Sequence, residues 1–219
     1  MDKLAVLRQY FGFPAFRAGQ QTLIDAVLSG RDALGVMPTG GGKSLCYELP
    51  ALLLPGMTLV VSPLISLMKD QVMALRNAGI PAGCINSSMS LDELRETYRD
   101  ARYGAYKLLY VAPERLLTDG FCSLAQELEI PLVAVDEAHC ISQWGQDFRP
   151  SYLKIVEFLQ RLPRRPAVAA FTATATAQVR ADIIRILQLH EPETAVTGFD
   201  RPNLRSEVLR PKDKRTALL

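Results

Sequence analysis

Met37-Pro38-Thr39-Gly40-Gly41-Gly42-Lys43-Ser44 lies directly behind the apolar run Ala33-Leu34-Gly35-Val36 and ahead of a helix-competent stretch from Ser44 to Leu54. Three consecutive glycines let a backbone fold tightly, so that its N–H groups converge on an anion without Cβ clashes. A helix beginning there adds its N-terminal amides and its dipole to the same point. The order therefore reads as a phosphate-binding loop between strand and helix, cradled by Thr39, Gly40, Gly41 and Gly42. Lys43 is expected to reach the β- and γ-phosphates, and the Ser44 hydroxyl to ligate Mg²⁺. The usual pattern opens with glycine; here that position is Met37.

Strands and helices alternate outward from this loop. Upstream, Asp2–Tyr10 reads as a short helix. Phe16-Arg17-Ala18-Gly19-Gln20 then leads into Leu23, Ile24, Val27 and Leu28, which share one helical face. Gln20 carries both donors and an acceptor, so it can pair with an adenine edge that offers both. Downstream, Thr58–Val61, Ala82–Ile85, Lys107–Val111, Leu132–Val135 and Val168–Phe171 read as apolar strands. The segments between them carry helical periodicity, with a capping-box spacing at Ser90-Leu91-Asp92-Glu93. Apolar strands with helical crossovers imply an α/β fold, a mostly parallel sheet covered on both faces. Ligands of such sheets bind at the carboxyl ends of the strands, where each of these motifs falls.

Leu132-Val133-Ala134-Val135 runs straight into Asp136-Glu137-Ala138-His139. A buried strand ending in two carboxylates can hold Mg²⁺ through Asp136 while Glu137 orients or deprotonates an attacking water. Lys43, Asp136 and Glu137 are thus the expected catalytic set, with Ser44 and Asp136 on the metal. His139 is expected to couple this site to neighbouring loops.

Composition excludes several classes. The net charge of +2 over 219 residues implies no partner by itself, so any nucleic-acid surface must be local. Cys46, Cys84, Cys122 and Cys140 form no C-x-x-C pair, which favours a reducing cytosol over a disulfide or zinc framework. No apolar run approaches a membrane span, and the N-terminus lacks a signal pattern.

Taken together, these stretches resemble successive motifs of superfamily 2 helicases. They are Phe16-Arg17-x-Gly19-Gln20, Met37 to Ser44, Ser62-Pro63-Leu64-x-Ser66-Leu67-Met68-x-Asp70-Gln71, Ala112-Pro113-Glu114-Arg115 and Asp136-Glu137-Ala138-His139. Cys140-Ile141-Ser142-Gln143-Trp144-Gly145-x-Asp147-Phe148-Arg149 is similar to the aromatic-rich loop of RecQ DNA helicases, in which Met at the head of the phosphate loop is usual. Thr172-Ala173-Thr174 resembles the coupling motif, and Phe199-Asp200-Arg201-Pro202-Asn203-Leu204 the segment leaving the first motor lobe.

The resemblance implies a P-loop NTPase fold, a RecA-like three-layer sandwich, and a 3′→5′ ATP-dependent helicase. It implies ATP and Mg²⁺ as cofactors, with Arg17 and Gln20 on the adenine. His139, Thr172 and Thr174 would couple hydrolysis to DNA. Trp144, Phe148 and Arg149 would contact single-stranded or duplex DNA; Ser62 is a further DNA-binding candidate, weaker like Ser66, Lys69, Arg115 and Thr174. Residues 1–30 would form the N-terminal helices and 31–204 the motor lobe. Residues 205–219 would be a linker and the start of a second lobe that supplies arginines to the phosphoryl transition state. A cytoplasmic, nucleoid-associated bacterial protein acting as a monomer is expected. An RNA helicase lobe and a non-catalytic ATP- or nucleic-acid-binding module are the alternatives. Arg161, Arg164 and Arg165 read as a solvated helix end.

Overall fold

Strand formation here follows from burial on both faces. In β5 (Leu132–Val135) the side chains of Val133 and Val135 enter one core, and those of Leu132 and Ala134 enter the other. This is the two-residue alternation of a sheet sandwiched between helices. The same division holds for β1 (Ala33–Val36), β2 (Thr58–Val61), β4 (Leu108–Val111) and β6 (Ala167–Thr172). Each buried Val or Leu contributes about 1.5–3 kcal/mol relative to exposure.

The computed structural model describes residues 2–198. The expectations for 199–204 and for the 205–219 linker lie outside the described residues. With β3 (Ala82–Ile85) and β7 (Glu193–Val196), the strands form one sheet in the order β3-β4-β2-β5-β6-β1-β7, parallel throughout. All carboxyl ends therefore face one rim. β1 and β5 flank β6, so the loops leaving them open a cleft above β6.

Helices cover both faces. α1 (Lys3–Phe11) and α2 (Gln20–Leu28) meet α3 (Leu45–Leu53) through Val6, Leu7, Ile24, Leu45 and Leu49. α4 (Ile65–Asn77) buries Met68, Val72 and Leu75, and Gly79 closes it at φ +77°. α5 (Leu91–Arg102) begins in a complete capping box: the Glu93 N–H donates to Ser90 Oγ at 3.2 Å, and the Ser90 N–H donates to Glu93 Oε2 at 2.7 Å. α6 (Asp119–Glu127), α7 (Lys154–Arg161) and α8 (Ala177–Ile186) complete the layers. Along the open edge of β3, Arg76 Nε donates to the Ala82 carbonyl at 2.8 Å.

The opposite rim is held by Asp32, which is 2% exposed. Its carboxylate accepts from both Arg165 terminal nitrogens (3.0 and 2.6 Å), from the Val168 N–H (2.8 Å) and from the His190 N–H (2.7 Å). This corrects the reading of Arg165 as a solvated helix end: it is half of a clamp joining the starts of β1 and β6. No helix among the described residues is long and apolar enough to cross a membrane.

Candidate nucleotide and nucleic-acid site

The phosphate loop is shaped by its glycines. Gly40 and Gly42 sit at φ +78° and +81°, the left-handed region that glycine adopts without strain. Around them the Gly41 N–H donates to the Pro38 carbonyl at 2.8 Å. A Cβ on Gly42 would lie 2.3 Å from Gln20 Nε2, so that side chain is packed directly on the loop. Lys43 Nζ donates to the Met37 carbonyl at 3.3 Å, and Ser44 precedes the first turn of α3.

A cleft of about 530 Å³ lies over this loop. Its walls bring together Arg17, Gln20, Thr39, Gly40, Gly42, Lys43, Ser44, Asp136 and Glu137. Gln20 is 2% exposed, and its amide is already engaged. It donates to the carbonyls of Gly42 (3.1 Å) and Gly41 (3.4 Å) and accepts from the Arg17 N–H (2.8 Å). Arg17 donates to the Gly40 carbonyl and stacks on Phe13, its Cζ 5.9 Å from the ring centroid. Both residues therefore brace the phosphate loop as well as lining the cleft.

Asp136 and Glu137 leave β5 beneath the same cleft. Burial pushes the Asp136 carboxyl up to about 6; the Glu137 carboxylate adds to the rise, while the Glu137 N–H, Lys43 and His139 oppose it. Tyr152 Oη donates to the Asp136 carbonyl at 2.9 Å and fixes the backbone there. Glu137 stands at φ +46°, ψ +44°, uncommon for a residue with a Cβ and a form of local strain that clusters at working sites. The His139 side chain bonded to it holds its carboxyl below the usual range, so Glu137 is ionised at neutral pH.

His139 Nδ1 lies 3.2 Å from Glu137 Oε2 and 2.9 Å from Thr172 Oγ1. Thr172 Oγ1 donates its own hydrogen to the Thr174 carbonyl at 3.1 Å, so it accepts from His139. That fixes the proton on Nδ1. Cys140 and then Glu137 raise the His139 pKa. His139, Thr172 and Thr174 thus form one hydrogen-bonded chain ending on Glu137.

The donor set suits a hard divalent cation: one hydroxyl and carboxylate oxygen at the cleft floor. Among the described residues no cluster of three His, Cys, Asp or Glu side chains could cage a metal. An ion arriving with phosphate oxygens and water therefore fits these residues.

Beyond His139 the chain forms the aromatic loop. Trp144 is 75% exposed at its tip, and Phe148 is half-buried. Arg149 donates to Asp147 Oδ2 at 2.7 and 2.9 Å and to the Pro63 carbonyl at 3.2 Å, which ties the loop to the end of β2. Ser62 requires a correction. It is 1% exposed and its Oγ has no hydrogen-bond partner, so it presents no hydroxyl at the surface; Ser66, Lys69 and Asp70 are the exposed polar groups of that segment. Sequence reasoning passed over Phe13 and Gln71 in the cleft wall, Tyr152 behind Asp136, and Asp182 beside the aromatic loop. Phe13, an aromatic four residues before Arg17, and Gln71, the last residue of the motif that opens at Ser62, left a local trace; Tyr152 and Asp182 left none.

Comparison with known proteins gives three results. The family model for DEAD/DEAH box helicases matches residues 17–183. The ATP-dependent DNA helicase RecQ of Bacillus subtilis (strain 168) is 49% identical over 211 residues, covering 96% of this chain and 36% of that protein. RecQ of Pasteurella multocida (strain Pm70) is 49% identical over 202 residues, covering 92% of this chain and 32% of that protein. The chain therefore spans about a third of the length of these curated relatives. Among solved structures, a hypothetical ATP-dependent RNA helicase from Sulfolobus tokodaii superposes with a TM-score of 0.67 at 22% identity, over 88% of this chain and 56% of its own. The DUF1998 helicase MrfA bound to DNA gives 0.69 at 16% identity, over 90% and 27%. At those identities the structures speak for the fold alone.

Proposed function

The chain belongs to the DEAD/DEAH box helicase family, and from that premise we propose that it is the ATP-binding motor lobe of a RecQ-like, 3′→5′ DNA helicase. One observation carries the reading: Lys43, Ser44, Asp136 and Glu137, distant in sequence, line a single cleft at the carboxyl rim of the sheet. In the proposed complex the loop amides of residues 40–44 cradle the phosphates, and Lys43 exchanges the Met37 carbonyl for phosphate oxygen. Arg17 and Phe13 flank the base, with Gln20 at the seam between base and phosphates. Ser44 and Asp136 would hold Mg²⁺, which would supply neutralising charge to the phosphates. Glu137, held ionised by His139, accepts the proton of the attacking water.

Trp144 offers an exposed π-face to a base, worth about 1–3 kcal/mol of stacking. Displacement of its loop would reach Glu137 through His139. The organisation we infer is helices over 1–30, the motor lobe over 31–204, and a linker from 205 to a second lobe that closes the cleft. The inferred setting is the bacterial cytoplasm, at the nucleoid, with the protein acting as a monomer. The RecQ relatives, named as DNA helicases, favour DNA over RNA as the track.

Calorimetric titration of Mg-ATP into the 219-residue chain and its Lys43→Ala variant tests the nucleotide site. The variant is expected to keep its circular dichroism and lose binding. An unchanged titration would refute the assignment. For the track, ATPase of a chain that also carries the second lobe should respond to single-stranded DNA and not to RNA.

A further inference from the structure

The aromatic loop is tethered to a helix that plays no part in the nucleotide site. Ser142 is fully buried, and its Oγ–H donates to Asp182 Oδ2 at 2.8 Å. The same oxygen accepts the Trp144 N–H at 3.1 Å. Asp182 sits on α8, is 6% exposed, and accepts on its other oxygen from an Arg185 terminal nitrogen at 2.9 Å. The result is a polarised chain from the Trp144 amide through a buried hydroxyl to a carboxylate, and such a charge-assisted link is stronger than a neutral one.

Elsewhere the tip of the loop is loosely surrounded. Trp144 borders two open clefts of about 420 and 330 Å³. The far end is held separately, by Arg149 on the Pro63 carbonyl. On the near side the loop bears on the catalytic segment: the Ser142 N–H donates to the His139 carbonyl at 3.1 Å, and a Cβ on Gly145 would lie 2.3 Å from that same oxygen. The β6–α8 unit thus grips the segment twice, at His139 through Thr172 and at Ser142 through Asp182.

We propose that Asp182 is a positioning residue that latches the Trp144 loop through the buried Ser142 hydroxyl, setting where the loop stands relative to His139. The latch exists in the free chain; only its bearing on nucleic acid rests on the function proposed above.

Trp144 is the sole tryptophan of the chain, so its fluorescence reports the loop alone. Anisotropy of Trp144 emission is measured in the 219-residue protein and in Ser142→Ala, Asp182→Ala, Asp182→Asn, Arg185→Ala and the Ser142→Ala/Asp182→Ala double variant. Losing a hydrogen bond to a charged group should raise the displaced-loop population about tenfold or more. Anisotropy is therefore expected to fall in Ser142→Ala and Asp182→Ala, and to fall no further in the double variant. Asp182→Asn keeps an acceptor for the hydroxyl and should restore most of the signal, while Arg185→Ala should leave it unchanged. Should Asp182→Ala fail to fold, Ser142→Ala and Asp182→Asn decide. Parent-like anisotropy in folded Ser142→Ala overturns the latch, as does additive loss in the double variant. A parent whose fluorescence ignores an oligo-dT strand, while the variants still loosen Trp144, supports the latch and counts against the DNA reading alone.

Discussion

Replacing Asp136 with Asn should make the nucleotide-free chain more stable at neutral pH and a worse ligand for Mg-ATP. Burial holds the folded-state pKa of Asp136 near 6, against 3.8 for an unperturbed aspartate. Between those values the folded chain keeps a proton that the unfolded chain releases, so stability falls as pH rises through the window. Above about pH 6 the full penalty is present, about 2.2 pKa units at 1.36 kcal/mol each, or roughly 3 kcal/mol. Asn is nearly isosteric, carries no charge, and keeps an oxygen for the Glu137 N–H that Asp136 Oδ1 accepts at 3.0 Å. Thermal melts of the two proteins should therefore diverge by roughly 6–12 °C at pH 7.5 and converge as the pH falls below about 3.8. Calorimetry at pH 7.5 should show weaker Mg-ATP binding for Asp136→Asn. A variant no more stable than its parent at pH 7.5, or equally stabilised at pH 4, would refute the account of Asp136 as a desolvated carboxylate kept for its ligand.

Gly42→Ala places a Cβ against Gln20 at a left-handed φ, so Mg-ATP affinity should drop about tenfold or more while circular dichroism is retained. Asp32→Ala strands the Val168 and His190 amides and the Arg165 charge; a loss of about 3–5 kcal/mol, read as a melting point lower by roughly 6–20 °C, is expected with nucleotide affinity preserved after refolding is verified. Glu137→Gln, in a chain carrying the second lobe, should lower kcat about 10²–10⁴-fold and leave the Mg-ATP dissociation constant within a few-fold, which single-turnover and binding assays separate.

What the sequence disclosed, and what it withheld, divides along the range of the interactions. The apolar runs of β1, β2, β4, β5 and β6 declare themselves because burial on both faces requires uninterrupted hydrophobic residues. β7 did not, since Glu193-Thr194-Ala195-Val196 alternates between partly buried and exposed and pairs along one edge only. The phosphate loop was legible because its glycines, Lys43 and Ser44 are contiguous. Gln20 was read for its donors and acceptor, yet its partners are loop carbonyls more than twenty residues away. Asp32 with Arg165 is separated by 133 residues and Ser142 with Asp182 by 40, distances at which one chain offers no pattern. Ser62 misled because a hydroxyl at a strand end looks available, whereas β2 is central and its terminus is covered.

The guanidinium of Arg76 on the Ala82 carbonyl has a bearing on the company this molecule keeps. A bare parallel border offers foreign strands a template, and open templates of that kind nucleate fibres. By occupying an outward acceptor with a positive side chain, Arg76 blunts that border against recruitment. A sheet whose cleft opens at the strand tips is thereby spared unwanted guests along its flank.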